Sequence, residues 1–400
     1  MRGVGDEFSR TGEWRVSGAE NPETLAWAYV STVVQGPSRA VEQLIASRGV
    51  VDAAATMRTG DVPKAVWDRV SARAHLDTAA ASLDLMAAMD GRLVVPSDEE
   101  WPAWRFLGFE RPDGALPTRD GGAPLALWVV GPAPVASSTE RAVAVVGTRA
   151  ATSYGEHVTG EIAGDLAVDG WTVVSGGAYG IDGAAHRAAL GVGGCTVAVL
   201  ACGVDRAYPA GHERLLRRVS ETGAVVSEYP PGTPPARYRF FSRNRLVAAL
   251  CDGVVVVEAG WRSGARNTAS WARALGRPVM AVPGPVTSAS STGCHRMIRE
   301  GEARLVTGAR DVVAEAGAVG AGVEDDDDRD ALFGRDLDRL PQTPARVLDA
   351  FPATGARTVQ QLSVDSGVPV SAVRSALVVL EIEGHAGRDE AGWVRIEKIR

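Results

Sequence analysis

The chain has 400 residues, of which 45% are hydrophobic and 23% are charged. This composition indicates a globular protein of two or three domains and excludes a largely disordered chain. The formal net charge is −7, and Lys64 and Lys398 are the only lysines among the basic residues. The sequence contains no apolar run of about 18 residues, and residues 1–20 lack the apolar stretch of a secretory signal. We therefore expect a cytoplasmic protein without membrane contact.

Charge is distributed unevenly along the chain. Between Glu140 and Arg310 there are nineteen arginines and fourteen acidic residues, a net charge of +5, whereas residues 324–328 are all acidic. A positive central region is compatible with a nucleic-acid partner despite the acidic total. The cysteines, at positions 195, 202, 251 and 294, form no CxxC pair. We expect buried free thiols in a reducing compartment, with neither a metal site nor a cofactor.

The N-terminal part of the chain predicts a helical module. Residues 1–20 are expected to be disordered, and residues 21–110 to form a helical domain. Asn21-Pro22-Glu23 is a typical helix start, and Leu25, Tyr29 and Val33 follow at four-residue spacing. Residues 111–140 are interpreted as an irregular connector.

Residues 141–312 predict a doubly wound α/β core with a Rossmann-like parallel sheet. Short β-branched runs recur there, each followed by a glycine-containing turn and an amphipathic helix, a pattern typical of strands covered on both faces. The predicted strands are Ala142–Val146, Thr172–Val174, Val197–Leu200, Ala224–Ser227, Val254–Val257, Val279–Val282 and Arg304–Val306.

The C-terminal part predicts a linker and a second small domain. Residues 313–342 are rich in Ala, Gly and Asp, as expected of an acidic linker. Residues 343–400 indicate three short helices, a Gly367-Val368-Pro369 turn and a terminal hairpin, the pattern of a winged helix-turn-helix domain. From position 341 onward, seven basic and seven acidic residues balance, so we favour a protein contact over duplex DNA for this domain.

Two glycine-containing segments follow the first two core strands, where ligands collect in such sheets. Gly147-Thr148-Arg149 precedes Ser153 and Glu156, which have the spacing of a capping box. Its backbone N–H groups and Arg149 would hold a phosphate, although a plain β-to-α turn explains the same residues.

The second segment is 175–182, Ser-Gly-Gly-Ala-Tyr-Gly-Ile-Asp. Its glycines allow a ligand to approach the backbone, and Asp182 is expected to cap the following helix. Asp182 and His186 have the spacing of an acid–base pair. An N-cap with a helix-surface histidine is the simpler interpretation, because no nucleophile accompanies them.

The third segment, 237–245, holds four arginines and three aromatic residues. It combines phosphate neutralisation with ring surfaces for stacking bases. The alternative is an exposed, arginine-rich helix start whose aromatic residues pack inward. The fourth segment runs from Glu258 through Ser263-Gly264-Ala265-Arg266-Asn267-Thr268, with small residues suited to a phosphate. We hypothesise that Glu258 pairs with an arginine of the third segment.

Together with Tyr208-Pro209, residues 227–232 and Val282-Pro283-Gly284, these segments resemble the DNA-processing protein A family in order and spacing. The resemblance covers about 142–306 and is that of a divergent member. Where this chain has Gly177-Ala178-Tyr179, the family usually has Leu-Ala-Arg, so a tyrosine that could stack on a base replaces an expected arginine. At Phe241-Ser242-Arg243, a serine replaces the proline of the usual Phe-Pro-Arg.

The resemblance implies a non-enzymatic protein that binds single-stranded DNA, protects incoming DNA, dimerises and promotes RecA loading in natural transformation and homologous recombination. Longer members have a helical, SAM-like N-terminal domain and a winged-helix C-terminal domain. The residues predicted to bind DNA are Gly147, Thr148, Arg149, Ser175, Gly176, Gly177, Tyr179, Gly180, Arg237, Arg239, Phe241, Arg243, Asn244, Arg245, Ser263, Gly264 and Arg266. Asp182, Glu258 and Thr268 are predicted to complete the pocket.

The alternative function is that of a nucleotide-binding module or a phosphoribohydrolase-like enzyme of the same superfamily. Such hydrolases carry a PGGxGTxxE signature, and the corresponding residues here are 263–271. Trp271 occupies the position of the catalytic glutamate, so no side chain at that position can act as the general acid or base.

Overall fold

The computed structural model describes residues 21–110, 116, 121–261, 263–317, 342–352, 355–389 and 391–396. The segment expected to be disordered, 1–20, and positions 318–341 of the expected linker lie outside the described residues, as does Arg262. The chain divides into two compact units, Met1–Gly322 and Val323–Arg400.

From residue 21 onward, the described part of the first unit starts with five helices, Pro22–Val34, Arg39–Arg48, Val50–Thr59, Lys64–Val70 and Ala79–Ala88. The first helix starts where expected, because the Asn21 side chain accepts a hydrogen bond from the backbone N–H of Glu23 at 2.9 Å. The helical region shares its hydrophobic core with one face of the sheet. One contact across this core is a hydrogen bond from Trp128 Nε1 to Ser31 Oγ of 2.9 Å. The helices are thus fixed to the sheet.

A nine-stranded sheet forms the centre of the first unit. Its strands in chain order are β1 (Gly91–Val94), β2 (Leu127–Val130), β3 (Ala142–Val146), β4 (Thr172–Ser175), β5 (Thr196–Leu200), β6 (Ala224–Ser227), β7 (Gly253–Val256), β8 (Val279–Ala281) and β9 (Arg304–Leu305). They lie in the order β1-β2-β6-β5-β4-β3-β7-β8-β9, antiparallel at β1 and β2 and parallel from β6 to β9. The doubly wound α/β core is therefore confirmed. The region expected to be helical supplies β1. The region interpreted as a connector also supplies β2, whose Leu127, Trp128 and Val129 are fully buried.

Helices connect the strands and cover the two faces of the sheet. The longer ones are Ser153–Val168, Ile181–Gly191, Glu213–Thr222, Arg237–Ala249, Ala265–Ala274, Thr292–Arg299 and Ala309–Ala316; short helical turns span Ala103–Phe106, Leu107–Glu110, Val135–Ser138, Ala210–His212 and Ala289–Ser291. Alternate residues of β3 face opposite cores, Val143 and Val145 on one side and Ala144 and Val146 on the other. Successive strands are added on one side of β3 from β4 to β6 and on its other side from β7 to β9, so the winding direction of the sheet reverses at β3. This is the switch point at which open α/β sheets bind ligands.

In the described part of the second unit, from residue 342 onward, three helices, Gln342–Asp349, Val359–Ser366 and Val370–Ile382, are followed by an antiparallel hairpin, β10 (Ala386–Asp389) and β11 (Gly392–Arg395). Val347, Leu362, Leu377 and Leu380 form its core. This is the element order expected of a winged helix-turn-helix, and that identification stays a prediction. Among the described residues no single helix is long and apolar enough to cross a membrane, although the bent pair Val359–Ser366 and Val370–Ile382 passes by length and composition.

His186 is fully buried in the first unit, although the sequence predicted a histidine on a helix surface. Its Nδ1 lies 2.7 Å from Thr196 Oγ1, which itself donates to the carbonyl of Val173. Its Nε2 has no hydrogen-bond partner within the described part of the chain. Burial, followed by the charges of His212 and Arg243, lowers the pKa of His186 to about 3. The imidazole is therefore neutral in the folded protein at neutral pH.

We predict that this histidine makes stability depend on pH. The unfolded chain protonates His186 near its ordinary pKa, at about 6.5, whereas the folded chain does so at about 3. Its contribution is thus present above the unfolded pKa and decreases as pH falls toward 3, by up to about 1.4 kcal/mol per pH unit. Urea unfolding of the wild type and His186→Asn between neutral and mildly acidic pH measures this. The variant should lose less stability on acidification, and equal losses would contradict the prediction.

Candidate nucleic-acid interface

A cavity of about 720 Å³ lies at the carboxyl ends of β3, β4 and β7. Its walls are the loop after β3, the glycine turn after β4, the loop after β7 and one side of the helix Arg237–Ala249. We refer to it as the main pocket. It lies at the switch point of the sheet, the position expected for a ligand.

The loop after β3 is held between two neighbouring elements. The backbone N–H of Thr148 donates to the carbonyl of Glu258 at 2.7 Å, and the Thr148 carbonyl accepts from Ile181 at 3.2 Å. A Cβ at Gly147 would overlap the Ile181 side chain, so only glycine fits this approach. The loop is thereby fixed, with the Arg149 side chain exposed beyond it.

Glu258 positions the helix after β3, and our hypothesis of an arginine partner for it is wrong. Its two carboxylate oxygens accept from the backbone N–H of Thr152 at 2.9 Å and from Thr152 Oγ1 at 2.7 Å. Thr152, and not Ser153, is the N-cap, because its hydroxyl accepts from the N–H of Gly155 at 3.1 Å. Glu258 is 1% exposed, which limits it to this structural role.

Asp182 organises the glycine turn after β4 and does not cap its helix, which begins after Gly180. One carboxylate oxygen accepts from the backbone N–H groups of Gly176 at 3.1 Å and Ala178 at 3.4 Å. Burial raises the pKa of Asp182, and the nearby Arg243 guanidinium opposes that shift. Asp182 therefore fixes the backbone of the glycine turn that forms the floor of the main pocket.

Arg243 is the one buried arginine of the third segment that lines the main pocket. Its side chain is 5% exposed, and its Nη1 donates to the carbonyl of Val199 at 2.7 Å. The guanidinium lies against Gly176 so closely that a Cβ there would overlap it. Burial lowers the pKa of Arg243, whereas Asp182 raises it. The Val199 carbonyl and the charge of the nearby Asp182 together explain how an arginine is accommodated at the end of the sheet.

Arg239 and Arg245 were predicted to bind DNA, but neither lines the main pocket. Arg245 is 1% exposed and forms a buried ion pair with Glu228. Arg239 donates to the carbonyl of Pro234 and, at 3.0 Å, to Gln35 Oε1. Both side chains hold the fold, because the helix turns every 3.6 residues and directs them away from the pocket.

Exposed cations and rings form the rim of the main pocket. Arg149 and Arg237 are exposed, and the Arg149 guanidinium lies 5.1 Å from the centroid of the Phe240 ring. Phe241 is 45% exposed and Tyr208 is 40% exposed. Tyr208 also packs on Phe240, with ring centroids 5.4 Å apart. The rim thus places two guanidinium groups beside three aromatic rings.

Twelve of the twenty predicted site residues line the main pocket: Gly147, Thr148, Arg149, Gly176, Asp182, Arg237, Phe241, Arg243, Asn244, Ser263, Gly264 and Thr268. Eight do not: Ser175, Gly177, Tyr179, Gly180, Arg239, Arg245, Glu258 and Arg266. Tyr179 is exposed but leans edge-on against His212, with centroids 4.8 Å apart. Arg266 lies 3.8 Å from Glu302 in an ion pair.

Tyr208 and Phe240 line the main pocket but were not among the predicted site residues. Phe240 stands inside the third segment, so its position was available from the same aromatic and basic pattern. Tyr208 follows β5 and reaches the rim only through the fold. The Tyr208-Pro209 motif contributed to the family resemblance, but it carried no indication of a contact with the third segment.

The chain is similar to known proteins in sequence and in structure. The family model for DNA recombination-mediator protein A matches residues 92–317. A putative DNA processing protein DprA of Mycobacterium tuberculosis is 48% identical over 373 residues, 93% of this chain and 94% of that protein. Protein Smf of Escherichia coli is 36% identical over 310 residues, 76% of this chain and 78% of that protein.

A solved structure agrees with these sequence relatives. The X-ray structure of DNA processing protein A from Streptococcus pneumoniae aligns with a TM-score of 0.58 and 31% identity, covering 76% of this chain and 99% of that one. The family model, the sequence relatives and this structure all indicate the same family. The chain belongs to the DNA recombination-mediator protein A family.

Proposed function

We propose that the main pocket binds single-stranded DNA and that the chain acts as a recombination mediator. The observation that carries this proposal is the rim, where exposed Arg149 and Arg237 lie beside the rings of Phe240, Phe241 and Tyr208. Guanidinium groups neutralise backbone phosphates, and exposed rings stack on bases of any sequence. Duplex DNA keeps its base faces stacked, so this combination suits an unpaired strand.

The pocket floor supports the same ligand. The backbone of Gly147, Thr148 and Gly176 faces the cavity without long side chains, and Asp182 holds the N–H groups of the glycine turn in place. Arg243 adds a positive charge at the floor, although its own hydrogen bonds are with the protein. A phosphate entering here meets a preformed surface, which reduces the ordering cost of binding.

The proposal includes transfer of the bound strand to the RecA recombinase in DNA-mediated transformation, a homodimeric assembly and a cytoplasmic location. Membership of a family of recombination mediators supports these parts. Light scattering of the purified chain and pull-down with purified RecA test the assembly and the partner.

We further propose that the chain is a binding protein and not an enzyme. Trp271, at the position of the catalytic glutamate in the related hydrolases, is 1% exposed and lies edge-on to Phe109 with centroids 6.2 Å apart. An indole cannot exchange a proton near neutral pH, so base cleavage lacks its acid–base group. Nucleoside monophosphates should survive incubation with the protein. Release of free base, abolished by Thr268→Val, would contradict this.

Removal of the rim cations should weaken DNA binding and its salt dependence together. Arg149→Ala and Arg237→Ala each remove one phosphate contact, so the slope of log K against log salt should decrease by about 0.7. Fluorescence anisotropy with a labelled oligothymidylate across a salt series measures both. Arg141→Ala is the matched control, because Arg141 is exposed and directly precedes β3, at the opposite edge of the sheet. Equal losses in the control and the rim variants would refute the assignment.

Removal of a rim ring should weaken binding without changing the salt slope. Phe241→Ala deletes a stacking surface, at a cost of about 1–3 kcal/mol per base, whereas Phe241→Tyr keeps the ring. The same anisotropy series compares the two variants. If Phe241→Ala retains wild-type affinity, bases do not stack at this position.

A further inference from the structure

The helix Arg237–Ala249 borders a cavity on each of two sides. Arg237, Phe240 and Asn244 line the main pocket. Tyr238, Ser242 and Arg245, which share the neighbouring face at i, i+4 and i+7, line a second cavity of about 370 Å³. Phe241 lines both. We refer to the 370 Å³ cavity as the second cavity. The half-exposed Phe241 ring lies at the boundary between the main pocket and the second cavity.

The opposite wall of the second cavity comes from the N-terminal helical region. The end of its first helix and the following turn contribute Val34, Gln35 and Pro37, and Arg69 and Arg73 add charge from further along. Tyr229 and Trp271 supply additional ring surface. The cavity therefore exists only where the helical region and the sheet domain meet.

Positive charge exceeds negative charge at this cavity. Arg73 donates its Nε to the carbonyl of Val33 at 2.8 Å and its Nη2 to that of Val34 at 3.2 Å, so no carboxylate neutralises it among these contacts. Burial and the charge of Arg69 lower the pKa of Arg73. None of the described residues that line the cavity is acidic, and the carboxylate of Glu228 is engaged by Arg245.

Several arginine N–H groups at the cavity have no hydrogen-bond partner among the described residues. Arg245 uses Nη2 for Glu228, whereas its buried Nε and Nη1 are unpartnered, and so is Nε of Arg69. Buried donors without acceptors cost free energy. An anion that accepts from these arginines would offset that cost and relieve the repulsion between Arg69 and Arg73.

We infer that the second cavity is a second nucleotide subsite, occupied by a further nucleotide of the strand that lies in the main pocket. Arg69 and Arg73 contact its phosphate, and Tyr238 and Phe241 flank its base. Tyr238 is 63% exposed, which leaves its ring accessible for stacking. The inference rests on the proposed function, because it extends the strand held in the main pocket across Phe241. It gives the helical region a direct part in holding DNA.

Anisotropy with oligothymidylates of stepwise increasing length tests the subsite in the full chain, with dTMP and inorganic phosphate as competitors. Arg69→Ala should leave affinity for the shortest bound oligonucleotide unchanged and lower affinity for longer ones by about tenfold. Tyr238→Ala should lower the affinity for long oligonucleotides by about fivefold or more, and Tyr238→Phe should restore it. Arg48→Ala is the control, because Arg48 is an exposed arginine of the same helical region outside the cavity.

The outcomes separate this inference from the proposed function. If Arg149→Ala weakens all lengths while Arg69→Ala and Tyr238→Ala weaken none, the subsite is refuted and the main pocket stands. If Arg69→Ala weakens short and long oligonucleotides equally, or no more than Arg48→Ala does, the cavity holds no separate nucleotide. Competition by dTMP or phosphate that is sensitive to Arg69→Ala, without the length dependence, would show a small-anion site and overturn the strand assignment. If none of the variants matters, the proposed function itself fails.

Discussion

The contact between the Arg243 guanidinium and Gly176 is the constraint on which the site depends. A charged group at the end of a buried sheet needs compensation, and it receives a backbone carbonyl acceptor at Val199 and the charge of Asp182. Asp182 in turn holds two backbone N–H groups of the glycine turn. Because any side chain at residue 176 would displace the guanidinium, glycine, arginine and aspartate define the pocket floor together.

The side chains of the helix Arg237–Ala249 fall into a buried group and an exposed group, which have different roles. Arg239, Arg243 and Arg245 are buried and stabilise the fold, whereas Arg237, Tyr238 and Phe241 remain exposed. Counting arginines along the segment overstates the charge available to DNA. Among the described residues that line the main pocket, the exposed cations are Arg149 and Arg237.

Much of the fold could be predicted from the sequence. The core strands are short apolar runs bounded by glycine turns, and each observed strand starts and ends within one residue of its predicted bounds. Val143 and Val145 face one core and Ala144 and Val146 the other, so continuous apolarity was the correct signal for burial on both sides. Strands β1 and β2 were missed: β1 lies inside the region predicted to be helical, and proline and glycine on either side of β2 obscure its four residues.

The site was less predictable because side-chain partners are distant in sequence. Glu258 and Thr152 are separated by 106 positions, and no local pattern distinguishes that pair from the expected ion pair with an arginine. The burial of Arg245 depends on Glu228, and that of Arg239 on Gln35 of the helical region. Periodicity placed the segment on a helix, but only the packed structure shows which side of the helix meets which cavity.

We propose that the cations and aromatic rings at the rim of the main pocket bind an unpaired DNA strand. A salt titration of binding to single-stranded and double-stranded oligonucleotides of the same length tests it most directly. We expect tighter binding to the single strand, with the logarithm of the affinity decreasing steeply and linearly with log salt. Equal affinity for both forms, or binding of mononucleotides with no salt-dependent binding of oligonucleotides, would contradict it.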